Sequence, residues 1–361
     1  MKQYVLVAGL DYEFKGVNFR LFCNNRAKRI ILANRKKEDL RFIIYDFAKG
    51  EVLTHEVTYP SGKKTEKLSS TTPFSPVGKA NYDRTVVAGT AHYKFKDGQR
   101  GLMSVLDIYQ AVRQIGKDDP GTLVELSFFS HAWHGGPILV NSYDNGVVST
   151  IIPPATTPVD TPLPAGARDP DDFDPRLKDF TAPTMDAPAL AEFKKAFATD
   201  GYVWVWGCAF PRVVHEILHK VENHPSYKNR GLADDKEFTF KNFGANHADI
   251  LETYLRPELG GPFPDRKKIV LKFELIKLFI CRVTTAAYTH HIAVAASVKA
   301  YGGVMGTYSE YDTGPLPLMN VYKNFGPHFT FYKNYMGFSF DPEGRRYGLY
   351  KPAFACVAPG P

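Results

Sequence analysis

A chain of 361 residues with 44% hydrophobic and 23% charged residues can bury a sizeable core, which excludes global disorder and leaves one large α/β domain with additions, or two domains. The net charge of +7 is mild for this length. Lys and Arg occur in short clusters (24–29, 34–39) typical of solvated helix faces, with no RNP, zinc-finger or basic-stripe pattern, so nucleic acid is not an expected partner.

In chain order, segment 3–10 (QYVLVAGL) is a short apolar run ending in glycine. It reads as a buried parallel strand and not as a signal peptide, because acids follow and no small-residue cleavage site does. Residues 23–37 carry apolar side chains at helical spacing. The β-branched and aromatic segment 40–47 reads as a second strand with 49–57 as its hairpin return. Residues 60–100, polar and punctuated by Gly, Pro and Ser, read as a loop or small excursion. An amphipathic helix over 102–116 stops at Gly116, and a third strand follows at 122–130. At about 151–188 the composition turns dense in Pro, Thr and Asp without a period, which predicts an exposed extended insertion. Alternation resumes with a helix over 189–201, a strand over 202–208 and a helix over 210–223. Helix-like stretches near 246–256 and 268–290 and an apolar run at 292–306 come next. The tail 329–352 is aromatic and punctuated, like a late β-rich addition. This order predicts an α/β fold, a mostly parallel open sheet flanked by helices on both faces. Residues 1–312 would form the α/β domain and 313–361 an aromatic-rich C-terminal extension packed on it.

No apolar run reaches the ~18 residues that a membrane-spanning helix needs. The four cysteines, Cys23, Cys208, Cys281 and Cys356, stand far apart without a CxxC pair. That spacing predicts no disulfide framework and, by default, a reducing compartment, so a cytoplasmic protein is expected.

Chemistry in open α/β sheets gathers beyond the carboxyl ends of the strands, and two signals fall there. One is Ser130-His131, with His134 and Gly135-Gly136 just after. The other is Gly207-Cys208, followed at once by a predicted helix with Pro211 in its first turn. A thiol at a helix N-terminus has its pKa lowered by unpaired N–H groups, and a nearby imidazole would complete a nucleophile and a later proton donor.

The segment FFSHAWHGGPILVNSYDNG resembles the histidine segment of the caspase family, where an apolar strand leads into Ser-His and then glycines. Ser130, His131 and Gly135 match, and Ala132 stands where that family has Gly. VWVWGCAF resembles its strand into the nucleophilic cysteine, without the flanking Gln-Ala and Arg-Gly. AYGGVMGTYSEYD (300–312) resembles its late substrate-groove strand and loop. His131 and Cys208 are 77 positions apart (208 − 131), against about 50 in caspases, and the Pro-rich insertion accounts for the excess. The resemblance implies a caspase-like cysteine endopeptidase acting on peptide or protein substrates, without cofactor or metal. Cys208 would be the nucleophile and His131 the general base, with His134 as second choice. Backbone N–H groups of Cys208 and of Ala132 or Gly135 would hold the oxyanion, and Tyr308, Ser309, Glu310 and Asp312 would line the substrate groove. Caspases hold an aspartate side chain with arginines, one of them from the late loop. Here that loop is acidic, so aspartate specificity is not expected and a basic side chain before the cleaved bond suits it better.

Two other readings stand beside this one. HEILH (215–219) satisfies the zinc-peptidase pattern H-E-x-x-H, with Glu252 as a third ligand. Helical geometry, however, puts Val213, Val214, Ile217, Leu218 and Val221 on one face and His215 and His219 on the opposite, solvated one. A catalytically silent scaffold of the same fold is the remaining reading.

Overall fold

The central strands are near-continuous apolar runs, buried on both faces. Strands β1 (Lys2–Ala8), β2 (Leu40–Asp46), β3 (Glu51–Thr58), β4 (Thr65–Thr71), β5 (Leu123–Phe129), β6 (Phe197–Val205), β7 (Lys299–Gly302) and β8 (Gly348–Tyr350) form one sheet. Their order is β8-β7-β6-β5-β1-β2-β3-β4. The run β2-β1-β5-β6-β7 is parallel, whereas β3, β4 and β8 join antiparallel at the two edges. The computed structural model describes residues 1–11, 16–87, 90–95, 101–140, 147–150, 159–162, 179–227 and 231–356.

Helices α1 (Phe19–Ala33), α2 (Val105–Asp118), α3 (Ala187–Ala196), α4 (Arg212–Glu222), α5 (Ala245–Leu259), α6 (Phe273–Thr285), α7 (Tyr288–Ala296) and α8 (Gly326–Tyr335) surround the sheet. Val5, Val7, Leu126, Phe128, Val203 and Val205 point into one core with α2, α3 and α7. Tyr4, Leu6, Ala8, Trp204 and Trp206 point into the other, with α1 and residues 318–325. Local signals place the helix ends. The Asn18 side chain caps α1 by accepting from Leu21 N–H, and Ser104 and Asp107 form a capping box at α2.

A buried ion pair ties α1 to the sheet. Arg26 donates to both carboxylate oxygens of Glu125 at 3.0–3.1 Å, and Tyr202 adds a hydroxyl at 2.7 Å. Trp204 and Trp206 stack at 4.1 Å, each within cation–π reach of that guanidinium.

Several elements depart from their sequence readings. The first helix starts at Phe19, four residues before the apolar spacing begins, because its cap lies at Asn18. Within 60–100, β4 extends the sheet and Tyr82–Val87 pairs with Thr90–Phe95. Strand β4 is exposed along its whole length, so it carries no inside-outside alternation to read. The helix predicted over 189–201 ends at Ala196, where β6 begins. Stretch 268–290 is a strand, Lys268–Lys272, followed by α6 and α7. The period-2 burial of that strand, hidden among apolar residues, pairs it with Glu237–Lys241. Of the aromatic tail, 329–335 belongs to α8 and only β8 joins the sheet; its aromatic residues fill core positions from the helix (Phe331, Tyr332), from the irregular stretch after it (Phe338, Tyr347) and from β8 (Tyr350).

Most of the Pro-rich insertion (151–158, 163–178) lies outside the described residues. Its described end is exposed at 181–183 and 186–188 but anchored by buried Asp179, Phe180 and Met185, with Asp179 accepting from the Tyr109 hydroxyl at 3.0 Å. Cysteine spacing also misleads, because Cys281 and Cys356 form a disulfide. Two residues 75 apart meet through the path of the chain, which spacing does not reveal. Such bonds persist in oxidising surroundings, so the reducing compartment is not carried forward. Among the described residues no helix is long and apolar enough to cross a membrane.

Candidate active site

From β1 the chain passes to β2 on one side and later to β5 on the other, which makes the gap between β1 and β5 the topological switch point. Ligand crevices in open α/β sheets form there, outside the carboxyl ends of the strands. Asp11 follows β1 and His131 follows β5. The two are joined, with His131 Nε2 2.7 Å from Asp11 Oδ1, and both side chains are largely buried. Asp11 Oδ2 accepts from Val17 N–H at 3.1 Å. The Phe19 ring meets the imidazole edge-on at 5.3 Å. Burial pushes the His131 pKa down, and Asp11 opposes this by hydrogen bond and charge.

Two close approaches draw the strand ends together. A Cβ on Gly9 would lie 2.7 Å from Ser130 Cβ and 2.9 Å from the Ile138 carbonyl. A Cβ on Gly207 would lie 2.2 Å from Ala132 Cβ and 2.6 Å from Ala132 N. Only glycine lets the chain beyond β6 lie this tightly on the histidine hairpin, in which His131–Trp133 pairs with Gly136–Ile138. Ala132 lies opposite Pro137, which has no N–H to exchange. The segments carrying His131 and Cys208 are therefore packed on each other at one end of the sheet.

Cys208 differs from its expected setting. Helix α4 starts at Arg212, with Ala209 instead bridged to Thr307, so the thiol does not sit on the helix N-terminus. Its Sγ accepts from Ser309 N–H at 3.3 Å, while the Ser309 hydroxyl donates to the Gly207 carbonyl at 2.8 Å. Burial pushes the thiol pKa up, and the Ser309 amide pulls it back. Among the described residues no hydrogen bond joins Sγ to an imidazole. His134 is half-buried in the hairpin turn beside Gly135. Its ring lies against Trp133, and its carbonyl accepts from Tyr288 N–H at 2.9 Å.

The late loop forms a strand, Ser309–Tyr311, paired with Met319–Val321. Tyr322 N–H donates to the Tyr308 carbonyl and Asp312 N–H to the Leu318 carbonyl. By alternation, Ser309 and Tyr311 direct their amides to the other edge, beside Cys208. Burial, and after it the charges of Asp11 and Cys208, push the Tyr311 phenol up to about 12, and its ring stacks on Phe22 at 5.5 Å. Tyr308, Tyr311 and Trp133 are 41%, 39% and 45% exposed and give this end of the sheet an aromatic surface. Glu310 and Asp312 each already meet an arginine. Arg345 reaches Asp312 at 2.8 Å and Arg346 reaches Glu310 at 3.4 Å. These arginines come from the C-terminal extension and cannot be assigned to the loop from sequence.

The zinc reading gains no ligand set. The core face of α4 is the predicted one, Val213, Val214, Ile217, Leu218 and Val221. His219 is exposed, but His215 is half-buried and meets His328 of α8 at 3.0 Å. Glu252 is held by Arg266 and by Phe263 N–H. Among the described residues no three His, Cys, Asp or Glu side chains are grouped to hold a metal.

A crevice of about 410 Å³ lined by Gly9, Asp11, Asn18, Arg20, Asp46 and Lys49 opens beside the Asp11–His131 pair. A larger cavity of about 940 Å³ lies at the opposite end of the sheet, between Tyr4, Leu40 and Tyr202. Asp11 is the functional candidate that sequence reading missed. The available signal was an acid three residues past the end of β1, at the end where chemistry gathers. No family model, curated protein or solved structure matches the chain.

Proposed function

We propose that the chain is a cysteine peptidase of the caspase-like type, with Cys208 as nucleophile and His131 as general base. The observation that carries this reading is the packing of Gly207 on Ala132, which sets the cysteine and histidine segments side by side at the switch-point end of the sheet. An extended peptide would lie along the open edge of Ser309–Tyr311, its carbonyl carbon facing Sγ. The Cys208 proton passes to His131 as sulfur bonds to that carbon, and the oxyanion is held by backbone N–H groups of Cys208 and of Ala132 or Gly135. The intermediate collapses with the C–N bond breaking and His131 protonating the departing amine. Water, deprotonated by the same imidazole, then releases the acyl group. A basic side chain before the cleaved bond would compete with Arg345 and Arg346 for Asp312 and Glu310.

The test is cleavage of an unfolded-protein or peptide-library substrate. Cys208→Ala and His131→Ala should each abolish cleavage, while His219→Ala and a chelator should leave it intact. Cleavage that survives Cys208→Ala overturns the reading. A catalytically silent binding module is the second reading, favoured by a thiol whose only described hydrogen bond is to Ser309.

A further inference from the structure

We infer that Asp11 is the positioning residue of this site, holding His131 in one tautomer and one orientation so that a Cys–His–Asp triad, and not a dyad, performs the reaction. This rests on the peptidase reading above, although its first observable does not require activity. An ionised carboxylate only accepts hydrogen bonds. The 2.7 Å contact therefore puts the ring proton on Nε2 and leaves the proton-accepting lone pair on Nδ1.

Each element around the pair limits its freedom. Val17 N–H fixes the second carboxylate oxygen, and the edge-on ring of Phe19 packs against the imidazole. The Ser130 hydroxyl donates to the His131 carbonyl at 2.7 Å. Among the described residues, Arg20 is committed to Asp46 and Glu51, Lys49 lines the adjoining crevice, and the Tyr311 ring stacks on Phe22 at 5.5 Å. Asp11 thus stands as the base-orienting carboxylate, contributed by the strand next to the one that carries the base. A base held by a third group is the general logic of activated nucleophiles.

Two measurements on the full chain test this. The first is the ¹⁵N signature of the His131 ring, assigned with His131→Ala. The wild type should show the proton on Nε2 at neutral pH, and Asp11→Asn should shift the ring toward protonation on Nδ1. The second is cleavage kinetics. Asp11→Ala should lower kcat by roughly 100-fold or more with KM within about twofold, and Asp11→Glu should recover part of the loss. Because the carboxylate raises the basicity of His131, the acid limb of the kcat/KM profile should move to lower pH in Asp11→Ala. A residue that only stabilised the fold would move the melting temperature but not the limb. Nδ1 protonation in the wild type, or a folded Asp11→Ala protein with kcat within threefold and an unmoved limb, overturns the proposal. If the wild type cleaves nothing, the peptidase reading fails, and the ¹⁵N signature still decides the role of Asp11.

Discussion

Replacing Gly207 with alanine tests the packing on which the site depends. The added methyl would lie 2.2 Å from Ala132 Cβ, 2.6 Å from Ala132 N and 2.9 Å from Ala132 Cα. Ordinary contact requires the two segments to separate by about 1 Å. Two of the three obstacles are main-chain atoms, so no side-chain rotation relieves the clash, and the hairpin carrying His131 must retreat. Overpacking of this kind costs about 1–3 kcal/mol, which corresponds to a melting-temperature loss of a few degrees in a chain of this size. A displacement of about 1 Å between reacting groups costs on the order of 100-fold in rate, so activity should fall further than stability. Differential scanning calorimetry and cleavage rates measure the two effects. Ala132→Gly in the Gly207→Ala background removes the methyl–methyl clash but leaves the main-chain ones, so it should restore stability only in part, a coupling that a double-mutant cycle isolates. If Gly207→Ala melts and cleaves like the wild type, the two segments are not in contact and the site as described is wrong.

Three further outcomes follow from buried groups. Glu125→Gln removes the buried charge facing the Arg26 guanidinium, 5% exposed, and leaves it the Glu343 carboxylate at 2.6 Å, so stability should fall by about 1.5–3 kcal/mol in urea titration; a loss under 1 kcal/mol contradicts the ion pair. Breaking Cys281–Cys356 opens a link across 75 residues and should cost about 4 kcal/mol on the loop-entropy account; the matching observation is a lower melting point in reducing buffer that Cys281→Ser no longer shows. His131, His215 and His290 all have pKa values pushed down by burial. The unfolded chain therefore takes up their protons first, so their contribution is fully present above the ordinary histidine range and is lost as pH falls through it. The melting point should drop between pH 7.5 and 6, and a rise over that interval contradicts the sign.

The sequence by itself determined the strand–helix alternation, the buried face of α4 and the positions of Ser130-His131 and Gly207-Cys208 at strand ends. These are local properties: side-chain period sets which face is buried, and a glycine after an apolar run marks where a strand stops. Only the tertiary structure decided what meets at those ends. Asp11 joins His131 across 120 residues, Arg345 and Arg346 cover the acidic loop, and Ser309 rather than a helix N-terminus approaches Cys208. Each of these contacts depends on strand order, and strand order is a property of the whole sheet that no local window of residues encodes.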